Sequence, residues 1–168
     1  MKAIIYTSNT GSTAEYAQLL GKELNLPVHS LQQAKNKVPA GSEIIYLGWI
    51  MAGGIKGYKE AAKLYKVRAV CGVGMGQTGT QLKEVRDKNA IPQRIPLFTL
   101  QGNFDVKKLH GVYRFMMNVM VKTAGKGLAN KTDRTPEEDD MLDMMVNGGK
   151  RVSLQNLKAV TEWYKSVF

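Results

Sequence analysis

One cysteine and two histidines stand among 168 residues, and that scarcity removes several kinds of chemistry at once. With Cys71 alone, an intrachain disulfide and a cysteine-rich metal cluster are excluded, and a reducing, cytoplasmic setting is expected. His29 and His110 have no second ligand at a recognised spacing, so no metal site is expected. No apolar run reaches membrane-span length, and the opening Met-Lys-Ala-Ile-Ile-Tyr turns polar at Thr7, too early for a signal peptide. Acid is scarce as well. Fourteen Asp and Glu against 24 Lys and Arg leave a formal charge of +10, which excludes a disordered acidic tail and predicts attraction to anionic partners.

What is present reads as one α/β domain over residues 1–168. The 43% hydrophobic content is enough for one core. Ala3 to Tyr6 is a short apolar run that breaks at the polar cluster 7–12. Ala14, Ala17, Leu20 and Leu24 then recur at helical spacing up to Asn25 and Pro27. The alternation repeats. Strands are expected at 43–47, 68–73 and 95–100, with a weak one at 27–31. Helices are expected with the stripe Ile55, Tyr58, Ala62 and Tyr65, then over 80–88 and 105–122. Residues 124–134 read as a loop.

Thr135-Pro136-Glu137-Glu138 starts a further helix that Asn147-Gly148-Gly149 ends. A last helix from about Ser153 carries Leu154, Leu157, Val160, Tyr164 and Phe168 on one face. Together these form a two-helix extension from about 135. Short strands that are apolar on both faces and separated by helices predict a doubly wound, five-stranded parallel sheet, order 2-1-3-4-5, with helices on both faces.

In such a sheet ligands bind at the carboxyl ends of the strands. The first of these loops, Thr7-Ser8-Asn9-Thr10-Gly11-Ser12-Thr13, offers hydroxyls, an amide, a glycine and the free N–H groups of a helix start. Those groups suit a phosphate monoester. No Gly-Lys-Ser/Thr ending is present, so it is not a Walker A loop. Turn and cap formation alone accounts for the same composition. Gly74-Met75-Gly76-Gln77-Thr78-Gly79 is a literal G-x-G-x-x-G between a strand and a helix. A dinucleotide fingerprint, however, belongs on the first strand and needs an acid about 20 residues on, where this chain has Ile95-Pro96-Leu97-Phe98.

The run Ile4-Ile5-Tyr6-Thr7-Ser8-Asn9-Thr10-Gly11-Ser12-Thr13, continued by Ala17 and Leu20, resembles the flavodoxin signature. That signature is an apolar strand, an aromatic residue, a Ser/Thr-rich loop, glycine, threonine and a small helical residue. The likeness extends over essentially the whole chain. Gly102-Asn103-Phe104-Asp105, Lys108-Leu109 and Met116-Met117 are similar to the group that includes flavodoxin-like protoporphyrinogen oxidases. The resemblance implies FMN as cofactor and one- or two-electron transfer as function, catalysis resting on the flavin itself.

It also implies that Ser8, Asn9, Thr10, Gly11, Ser12 and Thr13 hold the phosphate. Gly48, Trp49, Ile50, Met51, Ala52 and Gly53, with Gly74, Met75, Gly76 and Gln77, would hold the isoalloxazine. Trp49 either stacks on the ring or packs in the core. Met51 to Gly54 carry no charge, which predicts a less negative potential for the second electron than in an acidic flavodoxin.

The positive charge is concentrated in two stretches. Lys56, Lys59, Lys63, Lys66 and Arg68 face only Glu60. Lys107, Lys108, Arg114, Lys122, Lys126, Lys131 and Arg134 face only Asp105 and Asp133. Solvated helix faces are one reading. A basic rim for an acidic redox partner protein or an anionic small-molecule substrate is the other. A basic amphipathic helix around Val112, Phe115, Met116, Val119 and Met120 leaves peripheral membrane contact open. No fold motif points to nucleic acid.

Overall fold

The structure is a computed structural model that describes residues 1–104 and 111–168, with the backbone alone at 112–114, 116 and 117. The helix start expected at Asp105, together with Lys107, Lys108, Leu109 and His110, lies outside the described residues. So do the side chains of Val112, Arg114, Met116 and Met117.

Strands β1 (Ala3–Thr7), β2 (Val28–Ser30), β3 (Glu43–Met51), β5 (Lys66–Gly74) and β6 (Leu97–Gln101) form a parallel sheet in the order β2-β1-β3-β5-β6. With the two-residue β4 (Gly54–Ile55) set aside, this is the expected 2-1-3-4-5 order. β4 is the departure: it pairs antiparallel with the end of β3, Ile50 opposite Ile55 and Met51 opposite Gly54. Ile55 therefore belongs to a hairpin rather than to the following helix.

Alternation within each strand divides the core into two layers. Ile5, Ile44 and Tyr46 face the layer completed by α2 (Leu31–Lys37), α3 (Tyr58–Leu64) and α4 (Leu82–Asn89). Ile4, Ile45 and Leu47 face α1 (Ser12–Leu24), the 3-10 turn Leu154–Leu157 and α7 (Lys158–Val167). Both layers are apolar because parallel strands are covered on both faces.

Several boundaries move from the sequence reading. Helix α3 buries Tyr58 and Ala61, and Ala62 is exposed. Helix α2 is an unannounced element. It is seven residues long, with two buried apolar positions, and is fixed by a capping box between Ser30 and Gln33. Helix α5 (Gly111–Ala129) runs through residues 124–129, which composition assigns to a loop. Helix α6 (Pro136–Asn147) begins where its capping box at Thr135 and Glu138 places it. In the last segment Leu157 and Val160 are buried, while Leu154 and Phe168 are exposed.

Candidate functional site

The loops leaving β1, β3, β5 and β6 meet around one cleft of about 420 Å³. Asn9, Thr10, Ser12 and Thr13 line it from the first loop. Trp49, Ile50, Met51, Ala52 and Gly53 line it from the β3–β4 turn, and Gly74, Met75 and Gly76 from the loop after β5. Trp49 is therefore at the cleft and only partly buried, not in the core.

Four expected residues, Ser8, Gly11, Gly48 and Gln77, do not line this cleft. Gly11 is the N-cap of α1 at φ 105, with no atom within 4 Å of the place a Cβ would occupy. It lets the chain turn into the helix close to the loop. Gly48 is a buried spacer. A Cβ there would lie 2.5 Å from Ile55 Cγ2 and 2.6 Å from the Lys56 carbonyl, so its bareness lets the hairpin fold back over β3. The Gln77 carbonyl accepts from the Thr80 amide (3.2 Å) and the Thr80 hydroxyl (2.7 Å), which closes the turn.

Ser8 is the exception that carries information. Its Oγ is buried and has no hydrogen-bond partner among the described residues. A buried hydroxyl left without a partner costs about 1–3 kcal/mol. The loop around it is uncharged, and the amides of Ser12, Thr13 and Ala14 have no intrahelical acceptor, because Glu15 makes the first helical bond, to Gly11. An unsatisfied hydroxyl, free amides and the positive end of a thirteen-residue helix fit a phosphate group. Ser12 contributes differently. Its Oγ accepts from the Asn103 amide at 3.0 Å and meets the Asn103 carbonyl at 3.4 Å, so the hydroxyl ties two loops together. Ser8→Ala is expected to leave the unliganded chain as stable or up to about 1 kcal/mol more stable. The same change should weaken phosphate-ester binding about ten-fold, measured by urea unfolding and ligand titration side by side.

Sequence reasoning missed much of the remaining wall: Gln81, Glu84, Asn103, Phe104, Met120, Met141 and Met145, with Val73 and Gly102, also line the cleft. Gly102, Asn103 and Phe104 follow the end of β6, where the strand-end rule could have found them. Met141 and Met145 could not be found that way, because they arrive on α6 after the chain has left the sheet and returned. Helix α6 is tied down by Asp140, which accepts from Gln101 and pairs with Arg151. A two-way backbone bridge between Phe104 and Gly149 holds the segment that follows.

Met51 to Gly54 are uncharged, yet charge reaches the cleft from outside the turn. Glu84 lines the cleft from α4, and Lys56, which does not itself line the cleft, sets its Nζ 5.7 Å from the centre of the Trp49 ring that does. Cys71 lies fully buried in β5, and burial pushes its thiol up to about 12, which leaves no nucleophile there.

The glycine-rich stretch 74–79 is built unlike a dinucleotide fingerprint. The Gly79 amide donates to the Thr99 carbonyl at 3.0 Å, and α4 begins only at Leu82, after Gln81 in the left-handed conformation (φ 59). The motif's last glycine closes a loop onto β6 instead of opening a helix toward a ligand.

Three residues of the two basic stretches, Arg68, Lys131 and Arg134, are paired away from the cleft. Lys131 meets Glu138 at 2.8 Å and Arg134 meets Asp139 at 2.6 Å, both on α6. Lys35 pairs with Glu60, and Arg68 with Glu43. Lys66 and Arg68 open β5 and lie at the opposite end of the strands from the cleft. Among the described residues no helix is long and apolar enough to cross a membrane.

A family model of the flavodoxin domain matches residues 3–131. The chain belongs to that family, whose domains typically bind a flavin and serve redox functions. A search of curated proteins finds no match.

Proposed function

We propose that this chain is an FMN-binding flavodoxin-like redox protein that mediates one- or two-electron transfer. The observation that carries the proposal is the partnerless buried Ser8 hydroxyl in an uncharged loop at the N-terminus of α1. A phosphate there satisfies the hydroxyl and free amides together, with no lysine needed. Ser8, Asn9, Thr10 and Thr13, with the amides following Gly11, would hold the phosphate. Trp49, Met51, Gly53 and the 74–76 loop would flank the isoalloxazine. Bound FMN would supply the electron chemistry. The chain's own part is to bind, to orient and to exclude water, the last through Met51, Met75, Met120, Met141 and Met145. A reducing compartment such as the cytoplasm suits the lone thiol. FMN titration against riboflavin is the test, since only FMN offers the phosphate.

A second reading has the chain oxidise an anionic small molecule directly, a porphyrinogen for example. The observation favouring it is the outer wall of Phe104, Met120, Met141 and Met145, which extends the cleft past the loops that would contain a flavin. Unbranched methionines conform to a large apolar ligand. Turnover with a dye acceptor and no partner protein supports this reading. Turnover only when an acidic redox protein is added supports the carrier. For the carrier, the proposed docking face includes α5, where Phe115 and Val119 are exposed one turn apart and Lys122 and Lys126 follow. An anionic membrane surface would meet the same face.

A further inference from the structure

We infer that Lys56 is a positioning residue of the ring-binding half of the cleft, one that places a positive charge against Trp49 and biases the site toward a negatively charged, reduced flavin. The inference rests on the FMN reading above and names a determinant of its redox behaviour.

The geometry begins with the hairpin. Ala52 and Gly53 both have positive φ (47 and 75), as a two-residue hairpin loop of the primed type requires. The pairing of Met51 with Gly54 and Ile50 with Ile55 continues one rung further, where the Lys56 amide donates to the Trp49 carbonyl at 3.0 Å. Residues directly opposite on antiparallel strands project to the same face. Lys56 is thus set beside Trp49 by register.

The other side of the residue is fixed as well. The Tyr46 phenol donates to the Lys56 carbonyl at 2.8 Å. That phenol is fully buried and also meets the Thr7 hydroxyl at 2.7 Å. A phenol has one proton to give, so the threonine supplies the proton of the second bond. Lys56 is therefore held through its main chain to the base of the phosphate loop and to the ring-side tryptophan at once. Its ammonium lies 5.7 Å from the indole centroid, within the range of a cation–π contact. No carboxylate pairs with it among the described residues. The positive charge is not cancelled locally, and the neutral 51–54 turn beside it does not oppose it.

Glu84 supplies the contrast. It reaches the cleft from α4, its Oε1 3.3 Å from where a Gly53 Cβ would stand. A carboxylate acts on a reduced, anionic flavin with the opposite sign to Lys56.

The test uses the full chain in a Trp163→Phe background, so that Trp49 is the only indole. Lys56→Met, Lys56→Arg and Glu84→Gln are compared with that parent. In the chain without flavin, Lys56→Met is expected to shift Trp49 emission and Lys56→Arg to preserve it; unchanged emission in Lys56→Met overturns the positioning. With FMN, the readout is the ratio of affinities for two-electron-reduced and oxidised flavin. Lys56→Met is expected to lower it about ten-fold, the order expected of one charge in a partly desolvated site. Lys56→Arg should keep the ratio, and Glu84→Gln should raise it. An equal loss for both flavin states in Lys56→Met, an unchanged ratio, or a shift of the same sign in Glu84→Gln overturns the inference. Failure of the parent chain to bind FMN is a separate result. It overturns the FMN reading, and this inference with it.

Discussion

Gly57→Ala lowers the unfolding free energy by about 2–6 kcal/mol, the sum of a left-handed backbone cost of about 1–3 kcal/mol and an overpacking cost of similar size. Gly57 caps α3 at φ 79. A Cβ there would run into the Tyr46 hydroxyl, and it would sit 2.5 Å from Thr7 Oγ1 and 3.2 Å from Leu31. Neither oxygen can retreat freely. Tyr46 is buried between strands and bonded to the Lys56 carbonyl, and Thr7 ends β1. The damage therefore reaches the residue at which β1 enters its cleft-side loop. Gly11→Ala is the matched control: its φ is 105, but no atom lies within 4 Å of the added carbon. Only the backbone cost of about 1–3 kcal/mol applies there. Urea unfolding of the two variants checks the contrast. Equal losses would show that strain alone, and not the Tyr46–Thr7 contact, governs the site.

The second large effect is expected at Asn103. Its Oδ1 accepts from the Arg151 amide at 2.6 Å and the Val152 amide at 3.0 Å, and its Nδ2 donates to Glu15 at 3.2 Å. Its own amide donates to Ser12. One side chain therefore links the end of β6, the first turn of α1 and the segment returning from α6. Tyr16 reinforces the same junction by donating to the Gln101 carbonyl at 2.5 Å and accepting from Asn156 at 2.7 Å. Asn103→Leu removes the shared acceptor and leaves two part-buried amides unpaired. The expected loss is about 2–4 kcal/mol of stability. Amide exchange at Arg151 and Val152 should accelerate well beyond that at core positions such as Ile45. FMN affinity should fall too, because α1 loses its side-chain tie through Glu15. Asn103→Asp keeps the acceptor, so it should protect both amides again while losing the bond to Glu15. Exchange at 151–152 that stays slow in Asn103→Leu would contradict this account.

The two layers of the core were legible because parallel strands covered on both faces are apolar at every position, as in Ile4-Ile5 and Ile44-Ile45-Tyr46-Leu47. The cleft-side loop after β1 was legible because hydroxyl residues, glycine and a helix start fall together in seven consecutive positions. The hairpin at 51–54 was harder to see. Ala52 takes a left-handed φ that sequence would assign to asparagine or glycine, and Ile55, two residues beyond the turn, continues a helical spacing by coincidence. Helix α2 is too short for its period to register. The role of Gly48 could not be read either, since a spacer and a ligand-contacting glycine look alike until the Ile55 side chain is placed over it. Nor could charge pairing: Lys131 and Arg134 read as free cations until α6 folds back with Glu138 and Asp139. The methionine wall depends on that same return.

The central claim is that the loop from Ser8 to Thr13 holds the phosphate of FMN. It is tested most directly by titrating the chain with FMN and with riboflavin in parallel, following flavin fluorescence and visible absorbance. The account predicts saturable one-to-one binding of FMN, with riboflavin at least about a hundred-fold weaker, the order expected when several charge-assisted hydrogen bonds to phosphate are lost. Equal affinity for the two flavins, or no spectral change with either, would contradict it.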